Sequence, residues 1–290
     1  MTPSINEVCE QALQLPCAPM LLPRLLDVLG RTDRTIQEIK ELIQIDPVLA
    51  SSVLRLANSA YFSAGNARIG TLHDALLRLG QREVFRVAAL SIAGRWLTHE
   101  VEGYCWEPGD FCRMSLVTAV AAEVLAERTG RVPSDVSYAA GLVCGVGKLA
   151  IAYSCGGHFE TIREYQKMDG CTWLDAESAV LGFNFATVGA RLLTQWKFPD
   201  AFVAVATYNP PNNRLPAEHL PLAVHVHAAN YLSASIGVGQ GEDGFLIALN
   251  SNLLLEWGFT VDVLEAALPE VLNRASLLLR QKLASGPIEF

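Results

Sequence analysis

The chain has 290 residues, 51% hydrophobic and 18% charged, which fits a globular protein with a substantial core and excludes a disordered one. Its formal net charge of -8, with no Lys/Arg-rich run to offset it, argues against a general nucleic-acid binder. Mean hydropathy is positive, at +0.26, yet charge interrupts the apolar stretches, as in Val84-Phe85-Arg86 and Gly94-Arg95-Trp96, and no run reaches the ~20 apolar residues of a spanning helix.

The N-terminus lacks a basic segment followed by an apolar core, so no signal peptide is expected. The seven cysteines (Cys9, Cys17, Cys105, Cys112, Cys144, Cys155 and Cys171) are odd in number and form no CxxC, which fits reduced thiols in a cytoplasmic protein.

Along the chain, helical period and caps recur while strand signals are scarce. Thr35 and Glu38 have the spacing of a capping box, and Ile36, Ile39, Leu42 and Ile43 follow on one face. Asp46-Pro47 places a capping side chain before a proline at the first helical position, and Leu49, Val53 and Leu56 point inward from that helix. Thr71 opens another helix carrying Leu72, Ala75, Leu76 and Leu79, which Gly80 can end in a left-handed conformation. Gln81 to about Leu97 reads as a buried helix, followed by a loop at Gly103 and Glu107-Pro108-Gly109-Asp110.

A helix from Phe111 to about Arg128 ends at Gly130. Pro133-Ser134 opens one running through Leu142 and Lys148 towards Tyr153, and Gly156-Gly157 breaks it. Asn184 and Phe198-Pro199-Asp200 bound a further helix, and residues 209–216 form a Pro/Asn-rich loop. A last helix starts near Thr260, with Pro269 expected to interrupt or kink it before Leu277 to Leu283. The fold class is all-α, with a lobe boundary near residues 98–110.

Several ordered segments resemble the HDOD family of bacterial signal-transduction proteins. They are Leu15-Pro16; Ile45-Asp46-Pro47 with Leu54-Arg55-Leu56-Ala57-Asn58-Ser59-Ala60; Ile69-Gly70-Thr71-Leu72-His73-Asp74-Ala75 running into Leu79-Gly80; Ala140-Gly141-Leu142 with Gly147-Lys148-Leu149; and Leu181-Gly182 through Val188-Gly189-Ala190 to Trp196 and Pro199. The resemblance covers roughly residues 12–232. It implies an N-terminal helical lobe (1–100), a second lobe similar to the HD phosphohydrolase bundle (101–235) and a C-terminal helical extension (236–290) with no motif.

The resemblance also implies where a metal would be held in HD hydrolases, whose His and Asp side chains converge from separate helices on ions that activate water. At the matching positions this chain has Met114, Cys144-Gly145 in place of the His-Asp pair, Phe185, Thr207-Tyr208 and Asn230. Thioether, phenyl and glycine cannot hold a hard divalent ion, and one thiol is not a site. The expectation is a module with no metal, no cofactor and no catalytic residues, acting on a protein partner in a signalling pathway and, through the vestigial cleft, on a small ligand such as a nucleotide second messenger. A metal-dependent phosphohydrolase with a shifted site is the alternative.

Four residues are candidates for a partner or ligand groove. Arg55 and Asn58 share a helix face, where Asn58 can instead cap its helix. Lys148 can pair with a carboxylate or meet an anionic ligand. His227 can line the cleft or be structural, and His225 points to nearly the opposite face. The Gly141 to Lys148 stretch is not a phosphate-binding loop: five residues separate its glycines and Leu149 follows the lysine. Gly141 and Gly145 are expected to allow close helix packing.

Overall fold

Helices build this protein throughout the computed structural model, which describes residues 2–12, 21–31, 35–63, 68–97, 103–238, 241–244 and 250–283; no strand occurs among them. Leu15-Pro16 and Cys17 lie outside the described residues.

The first helices are α1 (Ile5–Ala12), α2 (Leu21–Gly30), α3 (Ile36–Gln44), α4 (Pro47–Ala57), the single turn α5 (Ala60–Ser63) and α6 (Leu72–Leu97). Their boundaries follow local chemistry. The Thr35 hydroxyl accepts from the Glu38 N–H while the Glu38 carboxylate accepts from the Thr35 N–H at 2.9 Å, a complete capping box. Asp46 caps α4 by accepting from the Leu49 N–H at 3.2 Å. α6 is two helical runs joined at Gly80, whose φ of 74° is the left-handed state that glycine adopts without a Cβ penalty. α2, α3 and α4 pack on α6 through Leu22, Leu25, Ile39, Ile43, Leu49 and Val53.

The second group centres on α7 (Asp110–Thr129), which buries nearly every residue from Phe111 to Ala126, as an apolar helix surrounded by others must. Around it stand α8 (Ser134–Val143), α14 (Leu220–Ile236) and α16 (Val261–Leu283). Between them run α9 (Val146–Ser154), α10 (Phe159–Asp169), α11 (Trp173–Leu181), α12 (Phe185–Gln195) and α13 (Asp200–Thr207), with the short α15 (Ser251–Glu256) before α16. α1 packs against α9 and α12.

The helix expected from Ser134 to Tyr153 is in fact two, because the chain turns at Cys144-Gly145. This corrects the hydropathy reading as well. Ser134–Ser154 is, on average, apolar and long enough to cross a membrane, but it folds as this pair of core helices and 89% of its most apolar window is buried. Gly141 is a true close-packing glycine, since a Cβ there would stand 2.9 Å from the Ala119 Cα, whereas Gly145 has ordinary contact distances around it. α16 runs from Val261 to Leu283 with Pro269 inside it rather than ending there.

Charge joins α6, α7 and α16. Glu123 of α7 is 1% exposed, and its carboxylate accepts from Arg82 Nη2 at 3.0 Å and Arg86 Nε at 2.8 Å, both from α6. Arg274 of α16 reaches Glu123 at 3.6 Å and Glu127 at 2.8 Å, and Arg128 meets Glu270 at 3.1 Å. A buried carboxylate with several guanidinium partners is costly to break from one side, because uncompensated charge remains. Glu123→Ala is therefore expected to lower unfolding stability by about 3–5 kcal/mol. Arg128→Ala, which breaks an exposed pair, should cost at most ~1 kcal/mol. Urea denaturation of both variants checks this; equal costs would contradict the role given to Glu123.

Candidate functional site

A cleft of about 670 Å³, counting its open mouth, lies where α7, the α8–α9 turn, α11, α12 and α14 meet. Each wall follows from local folding. α7 presents Met114, Ser115 and Thr118 on one face, and the turn that separates α8 from α9 exposes Cys144 and Gly145. Lys148 follows in the first turn of α9, with its N–H donating to the Gly145 carbonyl at 2.9 Å. Asn184 caps α12, accepting from the Thr187 N–H at 3.0 Å, and so sets Phe185, the first residue of the helix, in the cleft wall. α14 supplies Asn230 and Ser233.

The positions at which the resemblance would place metal ligands thus do converge: Met114, Cys144, Gly145, Phe185 and Asn230 all line this cleft. Their chemistry does not fit a divalent ion. Burial pushes the Cys144 thiol up to about 11, so it stays protonated and donates to the Gly141 carbonyl at 3.3 Å. Among the described residues no group of three or more His, Cys, Asp or Glu is placed to hold a metal. Thr207 and Tyr208 do not line the cleft; Asn209 and Pro210 do.

The cleft holds charge of another kind. The Lys148 ammonium, 7% exposed, donates to Asp243 Oδ2 and sits 4.9 Å from the centroid of the Phe185 ring, whose negative face favours a cation. Asp243 is 2% exposed. Nearby, Glu177 of α11 is fully buried: one carboxylate oxygen accepts from the Tyr104 hydroxyl and the other from the Phe185 N–H at 2.7 Å. Burial raises its pKa to about 7, against the hydrogen bonds from Tyr104 and Phe185.

Of the four candidate groove residues, only Lys148 lines the cleft. Arg55 is exposed and its Nη2 donates to the Ser52 hydroxyl at 3.1 Å. Asn58 is structural: its amide donates to the Leu54 and Ile69 carbonyls at 3.1 and 2.8 Å, and its oxygen accepts from the Ile69 N–H at 2.8 Å, clamping the end of α4 to the approach to α6. His227 does not line the cleft either. It faces the C-terminal segment, where Nε2 accepts from the Asn250 N–H at 3.1 Å, and burial lowers its pKa to about 4. His225 points to Thr129 and the Pro221 carbonyl, each at 2.7 Å.

Sequence reasoning missed Asp243 and Glu177. Glu177 carried a signal, since it falls between Trp173 and Leu181 at four-residue spacing, on the buried stripe of α11. Asp243, in a Gly-Glu-Asp-Gly loop far along the chain from Lys148, carried none.

The family model described as the HDOD domain matches residues 15–210. Several solved structures are similar. An HDOD domain protein with unknown function from Geobacter sulfurreducens is 21% identical, with a TM-score of 0.64, covering 91% of this chain and 97% of that one. A Shewanella amazonensis SB2B protein named "Putative phosphohydrolase" is 26% identical, with a TM-score of 0.68, covering 94% and 97%. A Marinobacter aquaeolei VT8 protein named "Putative signal transduction protein" is 23% identical, with a TM-score of 0.72, covering 94% of this chain and 60% of that one. An "Uncharacterized protein" of Treponema pallidum (strain Nichols) is 24% identical over 227 residues, and the chain spans only 43% of that relative's length.

Glu177 makes stability depend on pH. Its folded pKa of about 7 lies above the ordinary value of 4.5, so the folded state holds the proton more tightly. The resulting stability is fully present below the unfolded pKa and is lost as pH rises through the folded one. Relative to Glu177→Gln, which cannot ionise, the native protein should lose roughly 3 kcal/mol between those limits. Parallel denaturation curves across that pH range check this; identical pH profiles would contradict it.

Proposed function

The chain belongs to the HDOD family, and from that premise we propose that it is a regulatory module that acts by binding a protein partner, with no hydrolytic step of its own. One observation carries this reading. The residues that line the cleft at the positions of a hydrolase's metal ligands offer one protonated thiol, one thioether and one amide, and the charge there is a lysine paired with an aspartate. Such a set cannot lower the pKa of a bound water as a metal with three or more good donors does. The scaffold around the cleft is otherwise kept, so what the site retains is shape and one internal ion pair.

A metal-dependent phosphohydrolase with a shifted site is the competing reading, and the name of the Shewanella amazonensis relative, at 26% identity, speaks for it. The two readings separate on metal content and turnover. Protein purified without chelator is expected to carry well below one divalent ion per chain and to show no chelator-sensitive hydrolysis of phosphate esters or nucleotides. Stoichiometric iron or manganese together with chelator-sensitive turnover would establish the competing reading. Elemental analysis of the purified chain and a phosphate-release assay provide both measurements.

A further inference from the structure

Asp243 does not belong to the bundle whose cleft it enters. It comes from the stretch after α14, of which Gly241–Gly244 is described, and Asp243 lines the cleft. The Glu242 N–H donates to the Tyr104 carbonyl at 2.9 Å, and the Glu242 carboxylate accepts from Arg163 of α10. A side chain at 241 would collide with the Tyr104 carbonyl oxygen and stand 2.6 Å from Trp106 Nε1, so glycine allows this segment to seat. These contacts deliver one carboxylate to one buried ammonium.

The fit is incomplete on the carboxylate side. Asp243 Oδ2 meets Lys148, but Oδ1 is buried without a hydrogen-bond partner among the described residues. A buried carboxylate oxygen left unsatisfied is expensive, and native structures seldom retain one without a reason. The cleft is also lined by the polar residues Ser115, Thr118, Asn209 and Asn230, and none of them is hydrogen-bonded to Asp243. A free oxyanion in the same cleft has the Lys148 ammonium and these polar side chains as its surroundings.

We propose that this cleft is an oxyanion site which the chain fills with its own Asp243, and that a small ligand bearing a carboxylate or phosphate group competes with Asp243 for Lys148. The proposal deepens the binding-module reading and rests on it. Seating of the ligand displaces Gly241–Gly244 from Tyr104 and Arg163, so ligand occupancy and the position of this segment are coupled. The internal carboxylate lowers the apparent affinity for a free anion by the fraction of molecules in which the site is open.

The test is a melting titration of the native chain, Asp243→Ala, Asp243→Asn and the double variant Lys148→Met/Asp243→Ala. Sodium acetate and sodium phosphate are added in separate series, with ionic strength held constant by sodium chloride. Asp243→Ala is expected to show a saturable rise in melting temperature, with half-saturation about tenfold or more below that of the native chain. The double variant should show no rise. Asp243→Asn keeps the side-chain volume and serves where Asp243→Ala folds poorly. A response to acetate alone assigns a carboxylate ligand, one to phosphate alone a phosphoryl ligand, and one to both the shared chemistry. Absence of a saturable response in both single variants, or its persistence without Lys148, overturns the proposal. Stoichiometric bound metal would instead sink the binding-module reading, so the two failures are distinguishable.

Discussion

The buried pair of Lys148 and Asp243 is the constraint on which the cleft depends. Either charge left alone in this interior is destabilising, since desolvating a single ammonium or carboxylate costs several kcal/mol. Together they neutralise each other, and the Phe185 ring adds a face that favours the cation. The pair fixes the rest of the site. Phe185 is held from behind by Glu177, which accepts its N–H, and Glu177 is held by the Tyr104 hydroxyl. Tyr104 in turn offers its carbonyl to the segment that carries Asp243. The circuit closes on itself and links the loop before α7 with α9, α11, α12 and the stretch after α14.

A second electrostatic junction makes the C-terminal extension part of the fold. Arg274 of α16 joins Arg82 and Arg86 around Glu123 and Glu127 of α7. Between the two junctions, His227 accepts from the Asn250 N–H, and Arg131 donates to the Trp257 carbonyl at 2.8 Å. Residues 250–283 are therefore tethered to α7, to the loop that follows it and to α14, and α7 and α14 also wall the cleft.

Much of this was legible in the sequence. Caps depend on neighbours three residues apart, so Thr35 with Glu38, Asp46 before Pro47, Gly80 and Asn184 marked their helix ends correctly. The replaced ligand positions were also readable, because a resemblance carried by ordered segments fixes which residues face inward, and five of them do meet. What failed were contacts set by tertiary packing. The turn at Cys144-Gly145 interrupts a stretch whose composition is helical throughout. His227 turns to the extension, and nothing in a helix period shows which neighbour covers that face. Asp243 lies 95 positions from its partner in a loop whose composition reads as solvent-exposed. Among the described residues, Gly241 and Glu242 docking on Tyr104 and Arg163 carries it inward.

The Lys148–Asp243 ion pair is the charge that organises the cleft. A double-mutant cycle measures it most directly, with unfolding free energies for the native chain, Lys148→Met, Asp243→Asn and the combination. Strong non-additivity is expected, a coupling of about 2–3 kcal/mol, with the double variant more stable than the sum of the single losses implies. Additive losses, with coupling within about 0.5 kcal/mol of zero, would mean that the two charges do not sense each other, and would contradict it.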